Sequence, residues 1–388
     1  MQTKLSVTGI KRSQLQKAES ILRSCVHCGF CLSTCPTYQL TGNELDSPRG
    51  RIYLIKSVLE NNTYSKNTIQ HLDRCLTCRA CETTCPSGVK YGELADIGRE
   101  LVESKRPLWQ KALRSSIRKL LTTPALFNIA APLVKHTAIQ TPIKQQSGRK
   151  GRVLLLSGCV QPSLTPNTNL ATTNVLAILG YEIVETSQKE CCGAIDQHLS
   201  AQNKALIKVK HNIDHWSVML ESGIHTIIST ASGCGLMVKD YPTLFEAHDA
   251  YYQKALNIAA KTKDIAEFLL EQDLSLLSVT KEKISYHAPC SLQHGQKLPN
   301  LVESLLEKLG YDLAPIVDSH LCCGSAGTYS IFQPEMATQL RNNKLKNLSR
   351  LQPDLIVTSN IGCQIHLAKG TKLPVKHWIE LLDNLRSG

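Results

Sequence analysis

The 388-residue sequence lacks any unbroken apolar stretch of the roughly 18 to 20 residues that a membrane-spanning helix needs. Its nearest approach, Pro124 to Val134, is interrupted by Asn128 and Pro132. The chain is therefore not expected to be an integral membrane protein. It also lacks a G-x-G-x-x-G phosphate loop, so no intrinsic dinucleotide site is predicted. No apolar leader marks Met1 to Ser24, which predicts a cytoplasmic protein whose sixteen cysteines stay free rather than pairing as disulfides. Acidic residues are missing altogether between Ser104 and Lys150. That stretch holds ten basic residues: Lys105, Arg106, Lys111, Arg114, Arg118, Lys119, Lys135, Lys144, Arg149 and Lys150. With a net charge of +12 for the chain, 12 − 10 leaves only +2 for everything else.

A basic segment suits nucleic acid, an anionic membrane surface or an acidic partner. No nucleic-acid motif accompanies it, so nucleic acid is not expected as a partner. Leu108, Leu113, Ile117 and Leu121 recur there at helical spacing, which predicts an amphipathic helix. Such a helix lies at the cytoplasmic face of a membrane, docks on another subunit, or packs on its own chain.

What the chain has in abundance is cysteine at a fixed spacing. Two runs, Cys25-x2-Cys28-x2-Cys31-x3-Cys35-Pro36 and Cys75-x2-Cys78-x2-Cys81-x3-Cys85-Pro86, repeat one pattern. Three thiolates on one tightly turning loop reach three irons of a cube, and in two-cluster ferredoxins the fourth cysteine of each run ligates the other cluster. The spacing therefore predicts one [4Fe-4S] cluster on Cys25, Cys28, Cys31 and Cys85, and a second on Cys75, Cys78, Cys81 and Cys35. Zinc sites more commonly show separate C-x2-C pairs, which argues against zinc here. The proline after each fourth cysteine has no N–H and turns the chain away from the loop.

Apolar residues at i, i+3 and i+7 predict helices around these loops: Leu15, Ala18 and Leu22 before the first, Ile52, Ile55 and Leu59 after it, and Leu94, Ile97 and Leu101 after the second. The 39 residues between Cys35 and Cys75 exclude a tight hairpin, so the larger, all-α kind of two-cluster domain is expected over residues 1–103. Asp46-Ser47-Pro48-Arg49 reads as a helix start, with Pro48 at its first position. A basic linker over 104–150 ends in the flexible composition Gln145-Gln146-Ser147-Gly148.

Beyond residue 150 the sequence repeats itself. Cys159, Leu179-Gly-Tyr181, Cys191-Cys192-Gly193 and Cys234 have counterparts in Cys290, Leu309-Gly-Tyr311, Cys322-Cys323-Gly324 and Cys363. Cys159 to Cys191 and Cys290 to Cys322 are both 32 positions apart. Two related cysteine-rich domains are predicted, over 151–282 and 283–388. Val153 to Leu156, Thr226 to Ser229 and Ile356 to Thr358 read as buried strands, with helices such as Ala171 to Leu179 and Leu301 to Leu309 between strands. That alternation predicts α/β layers with largely parallel sheets. Gly158-Cys159, Gly233-Cys234 and Gly362-Cys363 are expected to converge at one sheet edge, where such sheets bind ligands. The fold class expected is thus multidomain α+β: an all-α two-cluster ferredoxin domain followed by a pseudo-repeated α/β pair.

The combination of two C-x2-C-x2-C-x3-C-P loops with two CCG repeats resembles the iron–sulfur subunits of flavin dehydrogenases that oxidise 2-hydroxy acids or glycerol 3-phosphate. It also resembles the catalytic subunit of heterodisulfide reductases. Cys25-Val-His-Cys-Gly-Phe-Cys31, Asp46-Ser-Pro-Arg-Gly-Arg-Ile-Tyr-Leu-Ile-Lys56, His71-Leu-Asp-Arg-Cys75 and Ser319-His-Leu-Cys-Cys-Gly-Ser-Ala-Gly-Thr-Tyr329 look like the glycolate oxidase iron–sulfur subunits. The resemblance implies an oxidoreductase complex in which FAD-bearing partner subunits oxidise glycolate to glyoxylate. This chain would relay the electrons towards quinone and have no catalytic residue of its own. The same resemblance leaves open the equivalent subunit of a lactate or anaerobic glycerol 3-phosphate dehydrogenase, or a heterodisulfide-reductase-like protein.

In heterodisulfide reductases each repeat ends in a C-x-x-C pair and five thiolates hold a split cluster. Here the last position is Met237 in one copy and His366 in the other. The remaining sets, Cys159, Cys191, Cys192, Cys234 and Cys290, Cys322, Cys323, Cys363, suit a further iron–sulfur cluster, since four thiolates suffice for a cube. The alternatives to a metal site in at least one copy are a redox dithiol and buried free cysteines. His27, Arg74 and Arg79 beside the ferredoxin loops are candidates for tuning a cluster by charge or N–H donation, or are plain surface residues.

Overall fold

A computed structural model describes residues 3, 5–6, 10–123, 126–127, 150–185, 191–275, 277 and 282–383. Pro124, Ala125 and most of the stretch to Arg149, including Lys135, Lys144 and Gln145-Gln146-Ser147-Gly148, lie outside the described residues.

The N-terminal part is helical. Helices Arg12–Ser24, Pro48–Asn61, Lys66–Asp73 and Tyr91–Glu103 surround the two cysteine loops. The periodic apolar residues Ala18, Leu22, Ile52, Ile55, Leu59, Leu94 and Ile97 meet in one core, together with Cys25, Cys75 and Cys81. Helix Pro48–Asn61 starts as its sequence predicts: Pro48 stands in the first turn and the Ser47 hydroxyl accepts the Gly50 N–H at 2.9 Å. Gly98 lets helix Tyr91–Glu103 press against that helix, because a Cβ there would lie 2.6 Å from Ile55 Cγ1.

Of the arrangements expected for the basic segment, the fold shows packing on its own chain. The segment forms the helix Leu108–Thr122, and three of its arginines turn inward. Arg106 bonds Asp73 at 2.5 Å and Glu103 at 2.6 Å, Arg114 meets Glu103 at 3.3 Å, and Arg118 reaches Asp196 at 3.1 Å. Arg114 also lies over the Phe332 ring, 5.3 Å from its centroid. The residues expected as one apolar stripe are therefore split: Leu108 and Leu113 face solvent with Trp109 and Leu120, while Ile117 and Leu121 are half-buried. Acids supplied by neighbouring elements, invisible in the local pattern, decide which face turns in.

Two sheets follow. The first contains β1 (Gly151–Leu156), β2 (Tyr181–Glu185), β3 (Ile224–Ser229) and β4 (Thr262–Asp264); the second contains β5 (Lys283–His287), β6 (Asp312–Leu313), β7 (Leu355–Thr358) and β8 (Val375–His377). All pairings are parallel, and the strand orders, β2-β1-β3-β4 and β6-β5-β7-β8, are the same. This is what duplicated βαβ units dictate, since parallel neighbours need a crossover helix between them. The two sheets share one core, in which Val153 and Leu155 of β1 join Ile284 and Tyr286 of β5. Polar contacts seal the join: His377 Nε2–H donates to the Thr230 carbonyl at 2.9 Å, and the Ser232 N–H donates to the Ser359 carbonyl at 3.1 Å.

The segments carrying the three glycine–cysteine pairs meet at the join of the sheets, where Ile361 enters the first repeat's cavity and a Cβ on Gly233 would lie 3.7 Å from Asn360 Oδ1, but their thiols fall into two groups. Cys159 and Cys234 line a cavity of the first repeat, whereas Cys363 packs with Cys323 in the second. Each sheet gathers its own cysteines, because each has its own strand ends.

Candidate metal centres

The two ferredoxin-type loops share a backbone shape that their spacing alone does not show. His27 and Gly29 in the first, and Thr77 and Arg79 in the second, all take positive φ, at 55°, 87°, 53° and 59°. These are the same two places relative to Cys25 and Cys75. Left-handed residues without glycine are uncommon and cost about 1–2 kcal/mol each, so the surroundings hold them in place. The conformation turns N–H groups onto sulfur: Thr77 N–H points at Cys75 Sγ at 3.3 Å, and His27 N–H makes the matching contact with Cys25.

One cavity is lined by Cys25, Cys28, Cys31 and Cys85, with Cys81, Ile52 and Tyr91 also in its wall. A second is lined by Cys35, Cys75, Cys78 and Cys81, with Arg51, Leu76 and Tyr91. Each thus gathers three cysteines of one run and the distant fourth of the other. The walls carry thiols and apolar groups, joined by Arg49 in the first and Arg51 and Arg79 in the second, with no carboxylate, so that sulfur is the abundant donor, as iron–sulfur chemistry needs. The first site lies at the surface, where Cys28 is exposed beside Val26 and Phe30. The second is covered by the repeats: Leu76 and Cys78 pack in one apolar cluster with Cys290, Cys322 and Tyr329.

Electrostatics differ between the two. Burial pushes the Cys31 thiol up to about 11 and raises Cys25, Cys78 and Cys81. Cys75 is buried too, yet its pKa is lowered, because the guanidinium groups of Arg51 and Arg99 outweigh the desolvation. Arg51, 1% exposed, donates to the His71 carbonyl at 2.7 Å and to Thr37 Oγ1 at 3.1 Å, and reaches Asp46 at 3.4 Å. Arg99 donates to the carbonyls of Leu72 at 3.2 Å and Cys75 at 2.5 Å and to Thr77 Oγ1 at 2.7 Å. Neither arginine stands out in the sequence; an arginine on an otherwise apolar helix face is the signal that marks them.

Of the flanking residues singled out from sequence, His27 lines the first cavity and turns its backbone N–H to Cys25, and Arg79 lines the second. Arg74 pairs with Asp46 at 3.1 Å, and Arg79 with Asp240 at 2.5 Å, tying the ferredoxin part to the first repeat. The His27 carbonyl faces Arg49 at 3.4 Å.

In the first repeat, Cys191 contacts Cys159 and Cys192, and Cys192 contacts Cys234, making a continuous row of thiols. Asn212 Nδ2 donates to the Cys191 carbonyl at 3.1 Å and Tyr241 Oη to that of Cys192 at 3.0 Å, fixing the double-cysteine turn. In the second, Cys290 and Cys322 stand 3.7 Å apart, Cys322 Sγ accepts the Gly324 N–H at 3.4 Å, and Asn360 Nδ2 lies 3.6 Å from Cys363 Sγ. Met237, at the end of the first repeat's motif, packs in the core. His366 bonds the Ala337 carbonyl at 3.1 Å instead of joining the thiols.

These features define a class: an iron–sulfur electron carrier in which a helical dicluster unit is joined to paired cysteine-rich α/β domains. Comparison with known proteins agrees. Residues 21–89 match the 4Fe-4S dicluster domain family, and residues 153–239 and 284–368 each match the cysteine-rich CCG domain family. The chain is 47% identical over 402 aligned residues to the glycolate oxidase iron–sulfur subunit of Escherichia coli, covering 99% of this chain and 98% of that protein. It is 28% identical to a probable glycolate oxidase iron–sulfur subunit of Bacillus subtilis, over 91% of this chain and 89% of the relative. A component of the fumarate reductase (CoM/CoB) of Methanothermobacter marburgensis is 26% identical, over 93% of this chain and 72% of the relative. The chain belongs to the family of glycolate oxidase iron–sulfur subunits. It is the electron-transfer subunit of an oxidoreductase and carries iron–sulfur clusters.

Proposed function

We propose that the chain takes electrons from FAD-containing partner subunits that oxidise glycolate to glyoxylate, and relays them towards quinone. The observation that carries this reading is a pair of four-thiol cavities, one at the surface and one sealed against the repeats. Such an arrangement gives a relay an outer and an inner end.

The ligand assignment is Cys25, Cys28, Cys31 and Cys85 for one cube and Cys75, Cys78, Cys81 and Cys35 for the other. A bound cube supplies one-electron redox chemistry at a potential set by its surroundings. The protein's part is to exclude water with Leu76, Tyr91 and Tyr329 and to place Arg51 and Arg99 beside Cys75. The all-sulfur row of Cys159, Cys191, Cys192 and Cys234 fits a further cluster. Residues 1–103, 104–150, 151–282 and 283–388 serve as the ferredoxin unit, the linker and the two CCG domains.

Among the described residues no helix is long and apolar enough to cross a membrane. The solvent-facing row Leu108, Trp109, Leu113 and Leu120, bordered by Lys105 and Lys119, suits the surface of an anionic bilayer. Arg106, Arg114 and Arg118 are committed to internal pairs, so lipid contact falls to the leucines, Trp109 and the lysines. Trp109→Glu should weaken binding to anionic vesicles; unchanged binding would exclude this helix as a membrane contact.

Co-purification with flavin subunits and anaerobic bleaching of the cluster absorbance by glycolate test the main reading. Bleaching by lactate and not by glycolate would replace the substrate.

A further inference from the structure

His287 ends β5, three residues before Cys290, and is only 2% exposed. Both of its ring nitrogens are buried without a hydrogen-bond partner. The neighbouring buried histidines are all satisfied: His294, His366 and His377 each bond a backbone carbonyl, at 2.9, 3.1 and 2.9 Å. Leaving a buried polar group unpaired costs about 1–3 kcal/mol, so an imidazole with two orphaned nitrogens calls for a ligand.

That ligand has two more donors at hand. A ring nitrogen of His287 and the sulfurs of Cys323 and Cys363 all lie within 4.8 Å of one another, and all three residues are buried. Around a tetrahedral zinc ion, with Zn–S about 2.3 Å and Zn–N about 2.0 Å, neighbouring ligand atoms stand roughly 3.5–3.8 Å apart. The mixed imidazole–thiolate donor set suits one ion of that class. The first repeat offers nothing equivalent: aligning Cys159 with Cys290 puts Leu156 where the second repeat has His287.

We propose that the second CCG repeat holds a single ion of the zinc class through His287, Cys323 and Cys363. The ion would fasten three segments distant in sequence: the end of β5, the double-cysteine turn, and the helix Ile361–Ala368. The double-cysteine turn packs on Leu76 and Cys78 through Cys322, so the ion would brace the wall of the second four-thiol cavity. Zinc has no redox chemistry of its own and would divert no electrons. The site stands whichever substrate the partner subunits oxidise.

The test uses the full-length chain, produced with zinc and iron both supplied and purified without oxygen. Metal analysis is paired with zinc K-edge X-ray absorption. About one zinc per chain is expected, with imidazole and sulfur in its coordination shell. His287→Leu, which copies Leu156 of the first repeat, should lower zinc at least tenfold while the iron of the ferredoxin loops stays. A zinc-free wild type, a zinc shell without imidazole, or His287→Leu that keeps its zinc would overturn the proposal. So would iron beyond about eight atoms per chain that disappears with His287, since that would place a cluster there. If His287→Leu fails to fold, the wild-type absorption spectrum still decides. Loss of the ferredoxin irons from wild type would instead sink the electron-transfer reading and leave the zinc result standing.

Discussion

Arg51→Met is the most informative perturbation of the ferredoxin unit. The side chain is 1% exposed and its guanidinium bonds His71, Thr37 and Asp46 at once. Asp46 is fully buried and keeps two other partners, His71 at 2.8 Å and Arg74 at 3.1 Å, after the change. Breaking a buried ion pair costs about 3–5 kcal/mol, and the surviving partners place this case near 3. Urea slopes of about 1–3 kcal/mol per molar turn that loss into a midpoint lower by roughly 1–3 M. The assay is equilibrium urea unfolding under anaerobic conditions, followed by cluster absorbance. Removing a positive charge beside Cys75 should also lower the reduction potential of the second centre, read by an EPR-monitored titration. A midpoint within roughly 0.3 M of wild type, with unaltered potentials, would refute the placement of Arg51 as the electrostatic anchor of that site.

Further outcomes follow from other parts of the molecule. Cys78→Ser should cut iron from about eight to about four atoms per chain if the ferredoxin loops alone are filled, and stop electron flow with the complex still assembled; lost assembly with normal turnover per intact complex would make the clusters mere scaffolding. His377, buried and bonded to Thr230, has its pKa lowered to about 4 by desolvation, from 6.5. The unfolded chain therefore binds the proton more readily, and this group's contribution, about 3 kcal/mol, is lost as pH falls from 6.5 towards 4. His377→Gln should flatten that part of the stability profile, and an unchanged profile would contradict it. Asp264 works in the opposite direction: burial raises its pKa to about 7, so its stabilising protonated form is lost as pH rises from 3.8 through 7. Asp264→Asn keeps the cap on the Ala266 N–H and should make the protein relatively more stable above pH 7, as urea unfolding at two pH values would show. Gly193→Ala and Gly324→Ala both force a side chain into positive φ, at about 1–2 kcal/mol. At Gly324 the new Cβ also meets the Ala337 carbonyl at 2.7 Å, against 3.4 Å to Val209 at Gly193; overpacking adds about 1–3 kcal/mol there, and equal melting shifts would argue against that packing difference.

Much of this architecture is legible in the sequence. The i, i+3, i+7 residues of the first hundred positions form one helical core, because amphipathic periodicity reports directly which face is buried. The duplicated cysteine spacing after residue 150 foretells two sheets of one topology, since a repeated sequence repeats its crossover units. What stays hidden depends on neighbours distant in sequence. Arg114 and Arg118 read only as members of a basic amphipathic segment until Glu103 and Asp196 arrive beside them. Arg51 and Arg99 look like ordinary helix residues, and only the fold brings them to Cys75. His366, next to a cysteine motif, draws notice in the sequence but bonds a carbonyl in the fold, whereas His287 draws none. A single histidine in an apolar run carries no spacing signal, and its unpaired nitrogens appear only once its surroundings are built.

Two iron–sulfur cubes held by the eight cysteines of the ferredoxin loops are the foundation on which every functional statement above depends. Iron and acid-labile sulfide, counted in protein purified under strict anaerobiosis and read together with EPR after dithionite reduction, address it most directly. At least about eight irons per chain and paramagnetic signals from two interacting reduced clusters are expected. A colourless protein, silent in EPR and carrying zinc in those loops, would contradict it.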